Sequence, residues 1–306
     1  GAHHLWRYSN SLPATHQEAI HRSDEPHVGG KCVKRTTAMK CKKGYSDGPH
    51  GQIHWRMWMG EGEASRPDLY CLHPAPYSGV AYQNLAPLLA NGRRVIAPDY
   101  PGYGGSDALS GSASIEDYSA SVMSLVDTFS ADHSVDLVGF HTGCLVAAEM
   151  CRVHPSRIRK SCLIDVPAFP KAESPVLAVK TGGKFNIGED LDSLESVWKM
   201  SLVSRLKTQN EDQAWSMFAE HVRPGARMNA AFQAAFTYPW WDNLREISSE
   251  IFIIASKSAL LDGSRRAAEC IPGAKLIERL DIERSVLDEA AEKTATSVTS
   301  CLKSVA

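Results

Sequence analysis

Short apolar runs alternate with stretches of helical periodicity along most of the chain. Val33 to Lys42 and Gln52 to Met59 read as two strands around Ser46-Asp47-Gly48-Pro49, a hairpin signal. Asp68 to Leu72 is a short apolar run ending at His73. Helix-like residues 80–91 and the run Val95-Ile96-Ala97 follow it. Ile115 to Phe129 puts Tyr118, Val122, Leu125, Val126 and Phe129 on one helical face. Val135 to Val138 reads as a buried strand running straight into a helix over 142–153. Further strands are predicted over 158–165, 251–255 and 274–279. A last helix over 285–303 carries Leu287, Ala291, Val298 and Cys301 along one side. Strands alternating with helices of this length predict an α/β fold, a mostly parallel sheet with helices on both faces.

One segment breaks the alternation. Between Val166 and Ser249 there is no strand signal, only helical patterns: Leu191, Leu194, Trp198 and Leu202 share one face, and Trp215, Phe218 and Val222 another. Too long for a simple crossover, it predicts an inserted helical cap over the carboxyl edge of the sheet, where open α/β sheets bind ligands. The expected organisation is a polar N-terminal arm over 1–30, a core built from 31–167 and 245–306, and a cap over 168–244. The cap aromatics Trp215, Phe218, Phe232, Phe236, Tyr238, Trp240 and Trp241 suggest a largely apolar pocket roof. Packing of the cap onto the core accounts for most of them, leaving Trp240 and Trp241 as the candidates to face a ligand.

Composition narrows the partners more than the fold. A formal charge of −2 gives no reason to expect nucleic acid or an anionic membrane as partner. The basic residues from Lys31 to Lys43 read as a solvated strand face. No apolar run is long enough for a transmembrane helix, and the first thirty residues lack an apolar signal-peptide core. The eight cysteines form no CxxC pair, and several fall inside apolar elements. They read as reduced core residues, which points to the cytoplasm.

Three local patterns carry the chemistry. Leu72-His73-Pro74-Ala75-Pro76 follows the third strand. Val95-Ile96-Ala97-Pro98-Asp99-Tyr100-Pro101-Gly102-Tyr103-Gly104-Gly105-Ser106-Asp107 follows the fourth. Val135-Asp136-Leu137-Val138-Gly139-Phe140-His141-Thr142-Gly143 runs a strand into a Gly-x-x-x-Gly turn. Together, and in this order, they resemble the α/β-hydrolase superfamily over roughly residues 45–303: its oxyanion loop, its loop after the fourth strand and its nucleophile elbow. Such a turn lifts one side chain above the sheet, while small flanking residues permit the tight backbone approach.

The resemblance implies a catalytic triad that this sequence does not carry. Where the family has Ser, Cys or Asp at the tip of the elbow, this chain has His141. The family's acid after the seventh strand aligns with Ser258, and Asp262 would substitute only if the loop shifted. The family's catalytic histidine aligns with Arg284, and no histidine follows His221. The Ser-His-Asp mechanism is therefore unavailable.

Two roles for His141 stay open: a proton carrier at neutral pH, or a spacer filling the cavity of a non-catalytic protein. Asp165, at the end of the neighbouring strand, either orients His141 or caps its own loop, whereas Asp99 fits a turn-stabilising role better than an acid. The Thr142 N–H and that of Ala75 are the expected oxyanion donors. Pro74 stands where the family has glycine and offers no N–H. His73 either braces this loop or lines the substrate space. His73, His141 and Asp165 have no metal-site spacing, and no metal or cofactor is expected. The expected function is acid–base chemistry without a covalent intermediate on a small, mainly apolar carbonyl- or ester-containing substrate, of hydrolase or lyase, decarboxylase or cyclase type. The competing expectation is an inactive pseudo-hydrolase that binds a ligand or a protein, with a homodimer left open.

Overall fold

The computed structural model describes residues 39–60, 64–181, 191–283 and 285–303. The expected arm, the residues 31–38 and Arg284 lie outside them. The backbone forms one eight-stranded sheet: β1 (Cys41–Gly48), β2 (Gly51–Met59), β3 (Leu69–Leu72), β4 (Arg94–Pro98), β5 (Val135–Phe140), β6 (Ile158–Ile164), β7 (Glu250–Ser256) and β8 (Lys275–Arg279). Their order is β1-β2-β4-β3-β5-β6-β7-β8. The pairs β1–β2 and β2–β4 are antiparallel, and all later pairs are parallel.

The helices are α1 (Leu85–Leu89), α2 (Ile115–Phe129), α3 (Thr142–Val153), α4 (Ser174–Thr181), α5 (Asp192–Val197), α6 (Glu211–Val222), α7 (Ala230–Thr237), α8 (Trp240–Asn243), α9 (Leu261–Cys270) and α10 (Ala291–Lys303). Buried residues form two clusters. One joins the strands to α2, α3 and α7, including Tyr70, Leu137, Leu145 and Ala234. The other joins them to α1 and α10, including Cys71, Val138, Leu85 and Val298. Helices thus cover both faces, as a parallel sheet requires. Helix α2 starts on a capping box in which Ser114 and Asp117 satisfy each other's backbone N–H.

Two predicted bounds shift. The first hairpin strand is Cys41–Gly48, with the turn at Pro49-His50; of the expected Val33 to Lys42, residues 33–38 lie outside the described residues. It is an edge strand paired only with β2, so its side chains are mostly exposed and polar. The last helix begins at Ala291, because Ser285 takes φ 50° and the N–H groups of Asp288 and Ala290 fold back onto its carbonyl. Leu287 lies in that turn, not on the helix. Between β6 and β7 the described residues contain helices and no strand. Among the described residues no helix is long and apolar enough to cross a membrane.

Candidate active site

Strand β5 lies between β3 and β6 and passes into α3 with a single residue, His141, between them. That residue takes φ 51° and ψ −118°, a conformation that favours glycine. The two elbow glycines have a steric reason. A Cβ on Gly139 would sit 2.4 Å from the carbonyl oxygen of Gly143, and one on Gly143 would sit 2.0 Å from that of Leu72. The turn is locked by the His141 N–H donating to Ile164 O (3.1 Å) and the Cys144 N–H donating to His141 O (2.8 Å). The Cys144 thiol also donates to Ile164 O at 3.1 Å.

The His141 ring is partly buried, and its centroid lies 3.9 Å from that of Phe140. Among the described residues nothing hydrogen-bonds to it. Burial pushes its pKa down to about 4, against the opposing pull of the Asp165 charge, so the imidazole is neutral near pH 7.

Asp165 is fully buried just past β6, at φ 53°. Both its oxygens are turned toward β7: Oδ1 accepts from the Ser256 N–H (2.7 Å) and Oδ2 from the Ser256 hydroxyl (2.6 Å). The interaction with His141 is therefore through charge, without a hydrogen bond between them. Ser256 was not predictable from spacing, since it belongs to a different strand. Ser258 closes a local turn, accepting the Leu260 N–H (3.2 Å), and Asp262 faces solvent beside Arg265.

His73 is fully buried. Its Nε2 accepts the Tyr100 N–H (3.1 Å), which leaves Nδ1–H to donate to Pro74 O (3.1 Å), and the ring stacks on Tyr100 at 3.9 Å. Burial holds its pKa near about 4, so it is a neutral brace between the third- and fourth-strand loops. Asp99 is a second brace. It accepts from His54 Nδ1–H (2.7 Å) and from the N–H groups of Gly79 (2.8 Å) and Gly105 (2.9 Å). Thr142 follows His141 as the first residue of α3, where its N–H has no intrahelical acceptor, and Ala75, in the braced loop, lines the same cavity as His141. The α3 N-terminus adds positive dipole at that point.

A cavity of about 390 Å³ opens on this group. Ala75, Phe140 and His141 line its sheet side. Arg205, Gln209 and Met217 line it from the segment between β6 and β7, and Val286, Leu287 and Asp288 from the turn before α10. Asp288 accepts from the amides of Gln213 (2.6 Å), Gln209 (3.1 Å) and Asn84 (3.3 Å), and burial raises its pKa. Trp240 and Trp241 are not in this lining: Trp240 is buried with the α3 cluster, and Trp241 carries Lys171 at 4.9 Å over its ring. Trp215 and Phe218 pack with Trp198 instead. Sequence reasoning missed Arg205, Gln209 and Asp288, which only the tertiary fold brings together. Among the described residues no group of three His, Cys, Asp or Glu is placed to hold a metal.

A family model described as the alpha/beta hydrolase fold matches residues 67–183. Epoxide hydrolase A of Mycobacterium tuberculosis is 32% identical over 120 residues, 37% of this chain and 36% of that protein. A pimeloyl-[acyl-carrier protein] methyl ester esterase of Aeromonas hydrophila is 32% identical over 165 residues, 53% of this chain and 58% of its own length. The chain thus matches between about a third and three-fifths of these relatives. The enol-lactonase structure from Burkholderia xenovorans superposes with a TM-score of 0.70 at 19% identity, covering 85% of this chain and all of that one. With a sheet and elbow of this form, the chain has the α/β-hydrolase fold.

Proposed function

We propose that the protein is an enzyme that acts on a small carbonyl- or ester-containing substrate by proton transfer at His141, without a covalent intermediate. The observation that carries this reading is the neutral His141 ring: it has no hydrogen-bond partner among the described residues and faces a cavity of ligand size. A side chain held in a conformation that favours glycine, with its ring nitrogens unspent, is suited to accept a proton from substrate or water. The Thr142 and Ala75 N–H groups then hold developing oxyanion charge. The helices described between β6 and β7 act as the cap over the site, and hydrolysis and lyase-type proton transfer are the reaction classes this arrangement serves.

The base must be neutral to work, so kcat/KM is expected to hold from pH 7 downward and fall as pH drops through about 4. Replacing His141 with Ala is expected to lower kcat/KM toward an ester panel by about 10²–10⁴-fold, with the melting temperature within about 3 °C. Retained activity overturns the proposal. A second reading, a ligand-binding module, is favoured by one observation: Asp165 spends both oxygens on Ser256 and orients no base. A wild type that is inert to the panel yet binds an apolar ester would decide for it.

A further inference from the structure

Arg205 is the feature of the cavity that proton transfer at His141 does not use. It projects from the segment between β6 and β7 and lines the same 390 Å³ space. Its Nη1 donates to Ser201 O at 3.3 Å, and its guanidinium lies 5.2 Å over the Tyr77 ring. Its Nε is buried without a hydrogen-bond partner, and no described carboxylate lies within ion-pair distance of it. The nearby carboxylate Asp288 feels the Arg205 charge but takes its hydrogen bonds from three neutral amides, those of Asn84, Gln209 and Gln213. Gln209, which gives its amide N–H to Asp288, keeps a buried Oε1 that accepts nothing.

A buried donor left unpaired costs free energy, and so does a cation half-withdrawn from water. Arg205 and Gln209 both line one cavity, and the cation above Tyr77 is held by ring and carbonyl with no described carboxylate at ion-pair distance. A planar guanidinium without a carboxylate partner matches a carboxylate better than any neutral group.

From this we infer that the Arg205 end of the cavity binds a carboxylate of the substrate. The substrate class is then an acid that carries its reacting ester or carbonyl at the other end, near His141. This inference rests on the His141 cavity being a substrate site, and it replaces a wholly apolar ligand with an amphipathic one. The carboxylate takes no part in the reaction. It fixes the orientation of the chain that runs between Arg205 and the elbow.

The test is binding rather than turnover. Calorimetric titration of the full chain with monomethyl esters of straight-chain dicarboxylic acids, from succinate to suberate, is compared with the dimethyl ester of each acid. At the length that fits, the monoester is expected to bind about tenfold tighter or more, as a charge-assisted pair requires. Arg205→Gln is expected to remove the preference while leaving dimethyl ester binding unchanged. Arg205→Lys is expected to restore part of it. His141→Ala is expected to retain the preference, so loss of the catalytic reading and loss of this one are separable. Equal binding of monoester and diester at every length overturns the inference, as does a preference that survives Arg205→Gln.

Discussion

The loops after β4 and β5 leave the same edge of the sheet with only β3 between them, and each presents an ionisable side chain at its base. In the first, Asp99 is 1% exposed and accepts hydrogen bonds from three separate segments. Burial alone would raise its carboxyl, but the His54 hydrogen bond and the Gly105 N–H outweigh that and hold it below the ordinary range. In the second, His141 has no such partner among the described residues and faces a cavity. The same burial that hydrogen bonds outweigh at Asp99 is opposed at His141 only by the Asp165 charge, which does not overcome it. A saturated polar group holds a fold together, whereas an unsaturated one at a cavity is free to meet a ligand.

The sharpest way to break this contrast is at the saturated side. Asp99→Ala removes one acceptor group and strands the His54, Gly79 and Gly105 donors at once. At about 1–3 kcal/mol for each of the two buried donors, on His54 and Gly79, the loss of stability is expected to be about 4 kcal/mol. Chemical denaturation measures it. A loss below about 1 kcal/mol would show that the loop relaxes onto water and that Asp99 is no clasp.

His73 gives a pH-dependent version of the same contrast. Unfolded, its imidazole takes a proton near 6.5; folded, burial delays this to about 4. The unfolded chain therefore binds more protons in that window, and stability is lost as pH falls from 6.5 toward 4, by about 3 kcal/mol from this residue. His73→Gln should reduce the slope of unfolding free energy against pH by about one proton over that window. An unchanged slope would place the titration elsewhere.

The contrast also explains what could be read from sequence. The elbow was legible because part of its constraint is local: Gly139 is needed against backbone atoms of its own turn, while Gly143 answers to Leu72 on the neighbouring strand. The Asp99 clasp was legible for a similar reason, since its Gly105 donor lies in its own loop. Ser256 was not, because the partner of Asp165 sits on the adjoining strand and shares no spacing with it. Arg205, Gln209 and Asp288 were hidden for the same reason, whereas the conspicuous Trp240 packs in the α3 cluster away from the cavity. Periodicity reports which side of an element is buried. It does not report which polar side chains from separate elements will meet across a cavity.

The finest discrimination lies in backbone strain at the elbow. His141 holds φ 51° and ψ −118° without being glycine, a conformation that costs roughly 1–3 kcal/mol. His141→Gly relieves that strain but gives the unfolded chain extra freedom worth roughly 0.4–1 kcal/mol, and it forfeits the contact with Phe140. The net expectation is a gain of about 1 kcal/mol, a rise of roughly 2–4 °C in Tm, accompanied by loss of turnover. A residue present to fill space would show the opposite sign, because its removal would leave a void. If Tm falls in the glycine variant, the ring is packing and the contrast with Asp99 fails. If Tm rises while activity disappears, the strain at 141 is being maintained for what the imidazole does in the cavity.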